Sequence, residues 1–336
     1  MNSIKKVLAH SIGWLLIVYV AYLAMSGVMY LISGVMLNAG YISNSWPVGD
    51  MQRAWYFSQR NIWQSNRECA TPDEKLIYVP TIGGCEFNNY EFSTQTNFDS
   101  LGRLVPDRND SLIGASGGVA VLGDSHAMGW GVNDAATFSN RLQLLIDRPV
   151  YNLGVSSYGT ERELRRLAQF KYLDSLEYIV IQYCENDLGE NEAVLDKALI
   201  DKKFTEFSSL QSEYSYQPLP FLSFVSFKKS LKVLHRPPFF EEALNFEKHS
   251  SALFATLNKH KELLAGKKVI IFYSNSRAKP FDGFARDKIE FDEFEVSLID
   301  LELKNQHYFK LDDHLNPNGH SYVAKRLSNI INQPGS

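Results

Sequence analysis

The stretch Val119-Ala120-Val121-Leu122-Gly123-Asp124-Ser125-His126 decides the fold of this chain. Its continuous apolar run predicts a buried parallel strand, and the residues after it predict a sharp turn that carries Ser125. In an open α/β sheet, chemistry lies just beyond the carboxyl ends of the strands. A serine at that place is held on a rigid element, but it needs a base before it can act as a nucleophile.

The far end of the chain offers such a base in Leu311-Asp312-Asp313-His314-Leu315-Asn316-Pro317. A serine at a strand end and a late Asp/His pair are the material of a hydrolytic triad. Two more apolar segments lie between them and also end in small or polar residues. They are Tyr151-Asn152-Leu153-Gly154 and Ile181-Gln182-Tyr183-Cys184-Glu185-Asn186-Asp187.

These four blocks, taken in order, resemble those of the SGNH (GDSL-type) hydrolases, and the resemblance covers roughly residues 115–330. It implies a three-layer α/β/α, flavodoxin-like parallel sheet. It also implies that Ser125 is the nucleophile and His314 the base. The oxyanion-hole donors would be the backbone N–H groups of Ser125 and Gly154 and the side-chain amide of Asn186.

Two neighbouring aspartates, Asp312 and Asp313, are candidates for the acid of the triad. The commonest arrangement in the family places Asp three residues before His, where this chain has Leu311. In an extended segment, residues two apart point the same way and adjacent residues oppose each other. Asp312 is therefore the predicted acid, and Asp313 is the alternative.

Composition and periodicity agree with one α/β domain. The chain has 336 residues, 45% of them hydrophobic, and a net charge of −4, so no basic bias points to nucleic acid. Strands predicted at 118–123, 149–153, 177–183, 267–273 and 294–301 alternate with helices, a pattern typical of a parallel sheet covered on both faces. Asn316 followed by Pro317 predicts the start of a last helix.

The N-terminal region is predicted to cross a membrane. Residues 1–6 form a short basic segment, and residues 7–37 contain no Asp, Glu, Lys or Arg. This span exceeds the roughly 20 residues that a bilayer needs and is too long for a cleaved secretory signal, so we expect a transmembrane signal anchor. Lys5 and Lys6 predict a cytoplasmic N-terminus. With the bacterial setting that the resemblance implies, the protein would be a single-pass inner-membrane protein with its catalytic domain in the periplasm or otherwise outside the cytoplasm.

Residues 38–115 form a predicted external region rich in aromatic residues, followed by the hydrolase-like domain at 116–332. Cys69 and Cys85 lie 16 positions apart, and an oxidising compartment would allow a disulfide. Closing such a loop is worth about 3 kcal/mol in the chain-entropy model. The insertion at 187–240 is either a lid over the site or a structural insertion. Residues 96–103 are expected to pack beside the active-site face.

The predicted function is that of a membrane-anchored serine esterase acting on an acyl or acetyl ester of a cell-envelope carbohydrate or lipid. An O-acyltransferase using the same site, or a non-catalytic envelope binding protein that keeps the fold, are the alternatives. No cofactor or metal is expected, because the histidines show no ligand spacing, and the sequence identifies no protein partner. His126 either lines the pocket or is an exposed turn residue, and Cys184 is expected to act as a small apolar residue.

Overall fold

The computed structural model describes residues 2–43, 48–193, 197–213, 246–274 and 293–332. The chain divides into two compact units. Of the described residues, the first unit contains 2–43, 48–60 and 310–312. The second contains 61–193, 197–213, 246–274, 293–309 and 313–332.

The first unit begins with a long apolar helix, α1 (Asn2–Asn38), followed by α2 (Val48–Gln59). An 18-residue stretch within His10–Asn38 has a mean hydropathy of 2.2, and among the described residues this is the one helix long and apolar enough to cross a membrane. Many of its apolar side chains are exposed, and Trp14, for example, retains 66% of its accessible surface. The position of this helix agrees with the span predicted at residues 7–37.

The C-terminal part of α1 packs on α2 and on a short segment from the far end of the chain. Tyr30 and Leu37 of α1 form one buried cluster with Trp55 and Tyr56 of α2 and with Leu311. Tyr30 and Leu37 lie two helical turns apart, and therefore on one face of α1. Trp55 and Tyr56 are thus buried packing residues.

The second unit is built on an eight-stranded sheet, whose parallel part agrees with the prediction. In chain order, its five parallel strands are β6 (Gly118–Gly123), β7 (Val150–Asn152), β8 (Leu176–Tyr183), β9 (Lys268–Tyr273) and β10 (Glu295–Ile299). In space they run β10-β9-β8-β6-β7. Their carboxyl ends therefore meet at one edge, and Ser125 is the second residue after β6.

Three antiparallel strands from the aromatic-rich region extend this sheet beyond β7. They are β3 (Gly83–Asn89), β4 (Phe92–Asp99) and β5 (Gly102–Arg103), and β5 joins β7 through the pair Arg103 and Asn152. The sheet is therefore mixed. A separate hairpin of β1 (Ala70–Asp73) and β2 (Ile77–Pro80) precedes them. A disulfide joins Cys69 to Cys85.

Helices cover both faces of the sheet, so the three-layer α/β/α prediction is confirmed. On β8, Ile179 and Ile181 belong to one buried cluster and Val180 to the other, as alternation along a strand requires. The helices of this unit are α3 (Ser125–Met128), α4 (Phe138–Gln143), α5 (Thr160–Leu167), α6 (Asp187–Glu192), α7 (Lys197–Glu213), α8 (Phe246–Lys259), α9 (Lys261–Leu264) and α10 (Pro317–Ile331). The α5 and α8 helices contribute to the first cluster, and α4 and α10 to the second.

The start of α10 and the insertion after β8 were both predicted from the sequence. The side chain of Asn316 accepts hydrogen bonds from the backbone N–H groups of Asn318 and Gly319, and Pro317 begins α10 as predicted. Of the insertion predicted at 187–240, α6 and α7 are described, and Phe207 of α7 stacks on Tyr78 with ring centroids 4.6 Å apart. The rest of the insertion lies outside the described residues.

Candidate active site

The turn after β6 places Ser125 at the start of α3. Asp124 caps this short helix, and its carboxylate accepts a hydrogen bond from the backbone N–H of His126 at 2.9 Å. Gly123, the last residue of the strand, has a φ of +142°, and a Cβ atom there would lie 2.5 Å from Oε1 of Gln182. Only glycine fits both the backbone angle and the space, so the sharp turn expected from the sequence depends on this residue.

The structure brings the predicted nucleophile and base together across 189 residues of sequence. Oγ of Ser125 lies 2.6 Å from Nε2 of His314, within hydrogen-bond distance. Both side chains belong to the second unit, and the two residues are 7% and 6% exposed. This is the arrangement in which an imidazole can remove the hydroxyl proton as the oxygen attacks.

Two aromatic rings pack on the His314 imidazole. The indole of Trp130 stacks on it with ring centroids 4.6 Å apart and an interplanar angle of 13°. The ring of His126 lies 4.7 Å away at 31°. These contacts restrict the tilt of the imidazole. Sequence reasoning missed Trp130, since a tryptophan five residues after the serine carries no recognised signal.

His126 is a buried residue of the site, so the expectation of an exposed turn residue is wrong. Only 5% of it is exposed. Burial and the neighbouring His314 lower the pKa of His126, which favours the neutral imidazole near pH 7. Its ring also meets the edge of Tyr308, with centroids 6.3 Å apart.

The predicted oxyanion donors lie around the nucleophile turn, and Gly154 and Asn186 each have a hydrogen-bond acceptor within the protein. The backbone N–H of Gly154 donates to Oδ1 of Asn152 at 3.0 Å. Nδ2 of Asn186 donates to Oδ2 of Asp124 at 3.1 Å. A Cβ atom on Gly154 would lie 2.5 Å from the backbone nitrogen of Met128 in α3, so glycine permits this close approach.

The two candidate acids have different surroundings. Oδ1 of Asp313 lies 3.5 Å from Nδ1 of His314, and the Asp313 side chain is 37% exposed. Asp312 is buried within the first unit, where the Tyr56 hydroxyl donates a hydrogen bond to its Oδ2 atom. Nη1 of Arg60 lies 3.7 Å from the same oxygen. Tyr56 belongs to α2 and Arg60 is the residue after it. The hydroxyl of the first and the positive charge of the second compensate the buried negative charge.

Cys184 is a buried thiol at the end of β8, as the sequence suggested. Burial raises the pKa of Cys184 well above its usual range, and the carboxylates of Asp124 and Glu185 raise it further. A thiol is far less nucleophilic than a thiolate. Cys184 is therefore a poor rival to Ser125.

Two buried carboxyl groups lie behind the turn. Burial and the neighbouring Asp187 raise the pKa of Glu163 well above its usual range. Burial and Asp124 raise the pKa of Asp187 in the same direction, although Asp187 accepts a hydrogen bond from the backbone N–H of Cys184 at 2.7 Å. These groups thus favour their neutral forms, which limits the negative charge close to the nucleophile.

Arg103 holds the segment that follows α3, and it is fully buried. Nη1 donates to the carbonyl oxygens of Met128 at 2.6 Å and Gly129 at 2.7 Å, and Nη2 donates to that of Val132 at 2.6 Å. Nε pairs with Oδ1 of Asp134 at 2.9 Å. The segment at residues 96–103 therefore does more than pack, because its last residue fixes the backbone just beyond the nucleophile helix.

One group of side chains could in principle hold a metal ion. Among the described residues it consists of Asp312, Asp313 and His314, which are consecutive in sequence. Tyr56 already donates a hydrogen bond to Asp312, and His314 already contacts Ser125. Asp312 and His314 therefore each have a contact with another side chain of the protein.

Comparisons with known proteins find hydrolases among the similar solved structures. No family model matches the sequence, and no curated protein matches it. Similar solved structures include a protein described as a lipolytic member of the G-D-S-L family from Desulfitobacterium hafniense DCB-2, with 11% identity over 63% of this chain and 98% of that chain and a TM-score of 0.30. Another is described as a platelet activating factor from Streptococcus pneumonia, with 14% identity, 65% and 85% coverage and a TM-score of 0.31. A third is LAE5, an α/β hydrolase enzyme from the metagenome of Lake Arreo, with 12% identity, 65% and 98% coverage and a TM-score of 0.35.

Proposed function

We propose that this protein is a serine esterase that acts through an acyl-enzyme on Ser125. The observation that carries this proposal is the 2.6 Å contact between Oγ of Ser125 and Nε2 of His314 at the carboxyl end of the sheet. Serine is a weak nucleophile until a base takes its proton. His314 takes this role in the proposal, because its Nε2 atom is within hydrogen-bond distance of the serine hydroxyl.

The reaction follows from this pair. Oγ of Ser125 attacks the ester carbonyl carbon while Nε2 of His314 takes the hydroxyl proton. The tetrahedral intermediate collapses, the bond to the alcohol oxygen breaks, and His314 returns the proton to the leaving alcohol. Water then attacks the acyl-serine with the same base, which releases the carboxylic acid and restores Ser125. No cofactor enters these steps.

The negative charge on the carbonyl oxygen requires hydrogen-bond donors. The backbone N–H groups of Ser125 and Gly154 and the amide of Asn186 take this role in the proposal. Substrate would replace Asn152 as the acceptor for Gly154. Asn186 carries two N–H bonds on Nδ2, so it can contact Asp124 and the oxyanion together. Each such donor contributes about 3–4 kcal/mol to the transition state.

Asp312 completes the triad in this proposal, with Asp313 as the alternative. Supporting Asp312 are its burial and two contacts on its Oδ2 atom, which hold the carboxylate in place. The Tyr56 hydroxyl donates a hydrogen bond to this oxygen, and Nη1 of Arg60 forms an ion pair with it at 3.7 Å. Asp313 is more exposed, and its 3.5 Å separation from Nδ1 of His314 is long for a hydrogen bond. A carboxylate on that nitrogen would hold the tautomer that leaves Nε2 free to accept a proton.

We also propose that α1 anchors the enzyme in a bacterial inner membrane, with the N-terminus in the cytoplasm. Its exposed apolar surface supports the anchor, and Lys5 and Lys6 support the orientation. The disulfide between Cys69 and Cys85 fits an oxidising compartment outside the cytoplasm. The substrate is then an acyl or acetyl ester of a cell-envelope carbohydrate or lipid.

The test is ester hydrolysis by the full chain in detergent, beside Ser125→Ala. We expect turnover of p-nitrophenyl acetate or octanoate that the substitution abolishes without lowering the melting temperature. The chain-length preference then separates a deacetylase from a lipase. A folded protein with no serine-dependent turnover of either ester would contradict the esterase. It would favour an O-acyltransferase if a sugar acceptor restores turnover, and a non-catalytic binding protein if it does not.

A further inference from the structure

Two polar atoms beside the catalytic pair are buried without a hydrogen-bond partner among the described residues. They are Nδ1 of His126 and the hydroxyl oxygen of Tyr308. Each residue is only 5% exposed. Buried polar atoms in folded proteins are nearly always hydrogen-bonded, and an orphaned pair at a site indicates an occupant that the chain itself does not supply.

Both side chains lie next to the base. The His126 ring is 4.7 Å from the His314 ring and meets Tyr308 edge-on at 6.3 Å, at an interplanar angle of 83°. Tyr308 is itself tied to the His314 segment, because it forms a β-bridge with Leu315. A group bound by these two atoms would thus lie close to where His314 returns its proton to the leaving alcohol.

The charges around this pair are negative. The carboxylates of Glu185 and Asp313 act on both His126 and Tyr308, and Glu185 accepts a hydrogen bond from the Tyr273 hydroxyl at 3.1 Å. Burial and His314 lower the pKa of His126, which favours its neutral form. Such surroundings repel a phosphate or carboxylate group, whereas a neutral imidazole and a phenol can each donate to and accept from a hydroxyl.

We propose that His126 and Tyr308 form a subsite for the alcohol portion of the ester, and that this portion is uncharged and carries hydroxyl groups, as a sugar ring does. The inference rests on the proposed function and narrows its substrate class. It favours a carbohydrate ester over an ester of an anionic lipid. A site that hydrogen-bonds a substrate hydroxyl strongly rejects the analogue that lacks it, because its own polar atoms are then left unpaired.

The experiment compares two acetates that differ in ring hydroxyls. Methyl 6-O-acetylglucoside and cyclohexylmethyl acetate both carry a primary acetate on a six-membered ring. With the full chain in detergent, we expect kcat/KM to be at least about 100-fold higher for the glucoside. Tyr308→Phe and His126→Phe should each lower that ratio about tenfold. His126→Asn, whose amide lies near the place of Nδ1, should keep the ratio within about threefold.

The matched control is Tyr151→Phe. It removes a buried hydroxyl that accepts a hydrogen bond from the backbone N–H of Gly114 at 2.9 Å, and it should not change the ratio. A wild-type ratio near one, or a ratio that neither phenylalanine variant at 126 or 308 changes, would overturn the subsite and leave water as its occupant.

A wrong esterase proposal would give a different result from a wrong subsite proposal, because neither acetate would then show serine-dependent turnover. In that case binding of methyl glucoside is followed by saturation-transfer NMR. Binding that Tyr308→Phe weakens would support the subsite without the esterase, and no binding would overturn it.

Discussion

Replacing Arg103 with methionine tests whether this guanidinium holds the turn behind the nucleophile. The change removes the donors to the Met128, Gly129 and Val132 carbonyls and leaves the Asp134 carboxylate, whose side chain is 8% exposed, without its cation. Removing one partner of a buried ion pair costs about 3–5 kcal/mol. At about 2–4 °C per kcal/mol for a domain of this size, the melting temperature should fall by roughly 10 °C.

Two further variants separate charge from geometry. Arg103→Lys keeps the cation but lacks the planar fork that reaches several carbonyls, so its melting temperature should lie between those of wild type and Arg103→Met. Adding Asp134→Asn to Arg103→Met removes the uncompensated charge and should recover part of the loss. The backbone N–H of Asn97, 3.2 Å from Oδ1 of Asp134, still donates to this side chain in every variant.

Thermal unfolding of the full chain in detergent measures these effects, and the rate at which a fluorophosphonate labels Ser125 reports the turn itself. We expect labelling of Arg103→Met to slow at temperatures well below its melting point. A destabilisation of 1 kcal/mol should lower the melting temperature by about 2–4 °C. The reasoning would be refuted if Arg103→Met melted within about 2 °C of wild type and labelled Ser125 at an unchanged rate.

Three other predictions concern the site. Asp312→Asn should lower kcat by about 10⁴ if Asp312 is the triad acid, while Asp313→Asn should lower kcat less than tenfold. Steady-state kinetics measure both variants, and equal losses would contradict the choice of Asp312 as the acid. Gly154→Ala should lower kcat by about 10² or more, because its Cβ atom meets the backbone of α3 at 2.5 Å; a fully active variant would show that the close approach is dispensable. Because the pKa of Glu163 is higher in the folded protein than in the unfolded chain, its contribution to stability is present below about pH 4.5 and is lost as pH rises. Melting curves should therefore show wild type losing stability relative to Glu163→Gln as pH rises above about 4.5, and parallel curves would contradict this direction.

Local sequence signals predicted much of the fold. The apolar run before Ser125 and the Asn316-Pro317 cap act within a few residues, so their structures follow from short-range patterns. The contact between Ser125 and His314 was also predicted, because both residues follow motifs whose order along the chain is informative.

Long-range contacts could not be predicted in this way. Arg103 reaches carbonyls 25 to 29 residues away, and β5 joins the main sheet through a single residue pair with β7. Neither contact leaves a periodic pattern in the sequence, because each depends on how separate strands are aligned. The burial of His126 has the same origin, since its neighbours Tyr308 and His314 come from the far end of the chain.

The packing of residues 310–312 in the first unit has a consequence for biosynthesis. Tyr56 and Asp312, which form a hydrogen bond there, are 256 residues apart. At a synthesis rate of about 5–20 residues per second, some 13–50 s separate the appearance of the two residues. During that interval the apolar α1 helix has left the ribosome, while Leu311, which packs on Tyr30 and Leu37, has not yet been made. The first unit, which contains the residues synthesised first, is therefore among the last parts to complete its packing. Chains that stop before residue 310 lack Leu311, a component of the core of this unit.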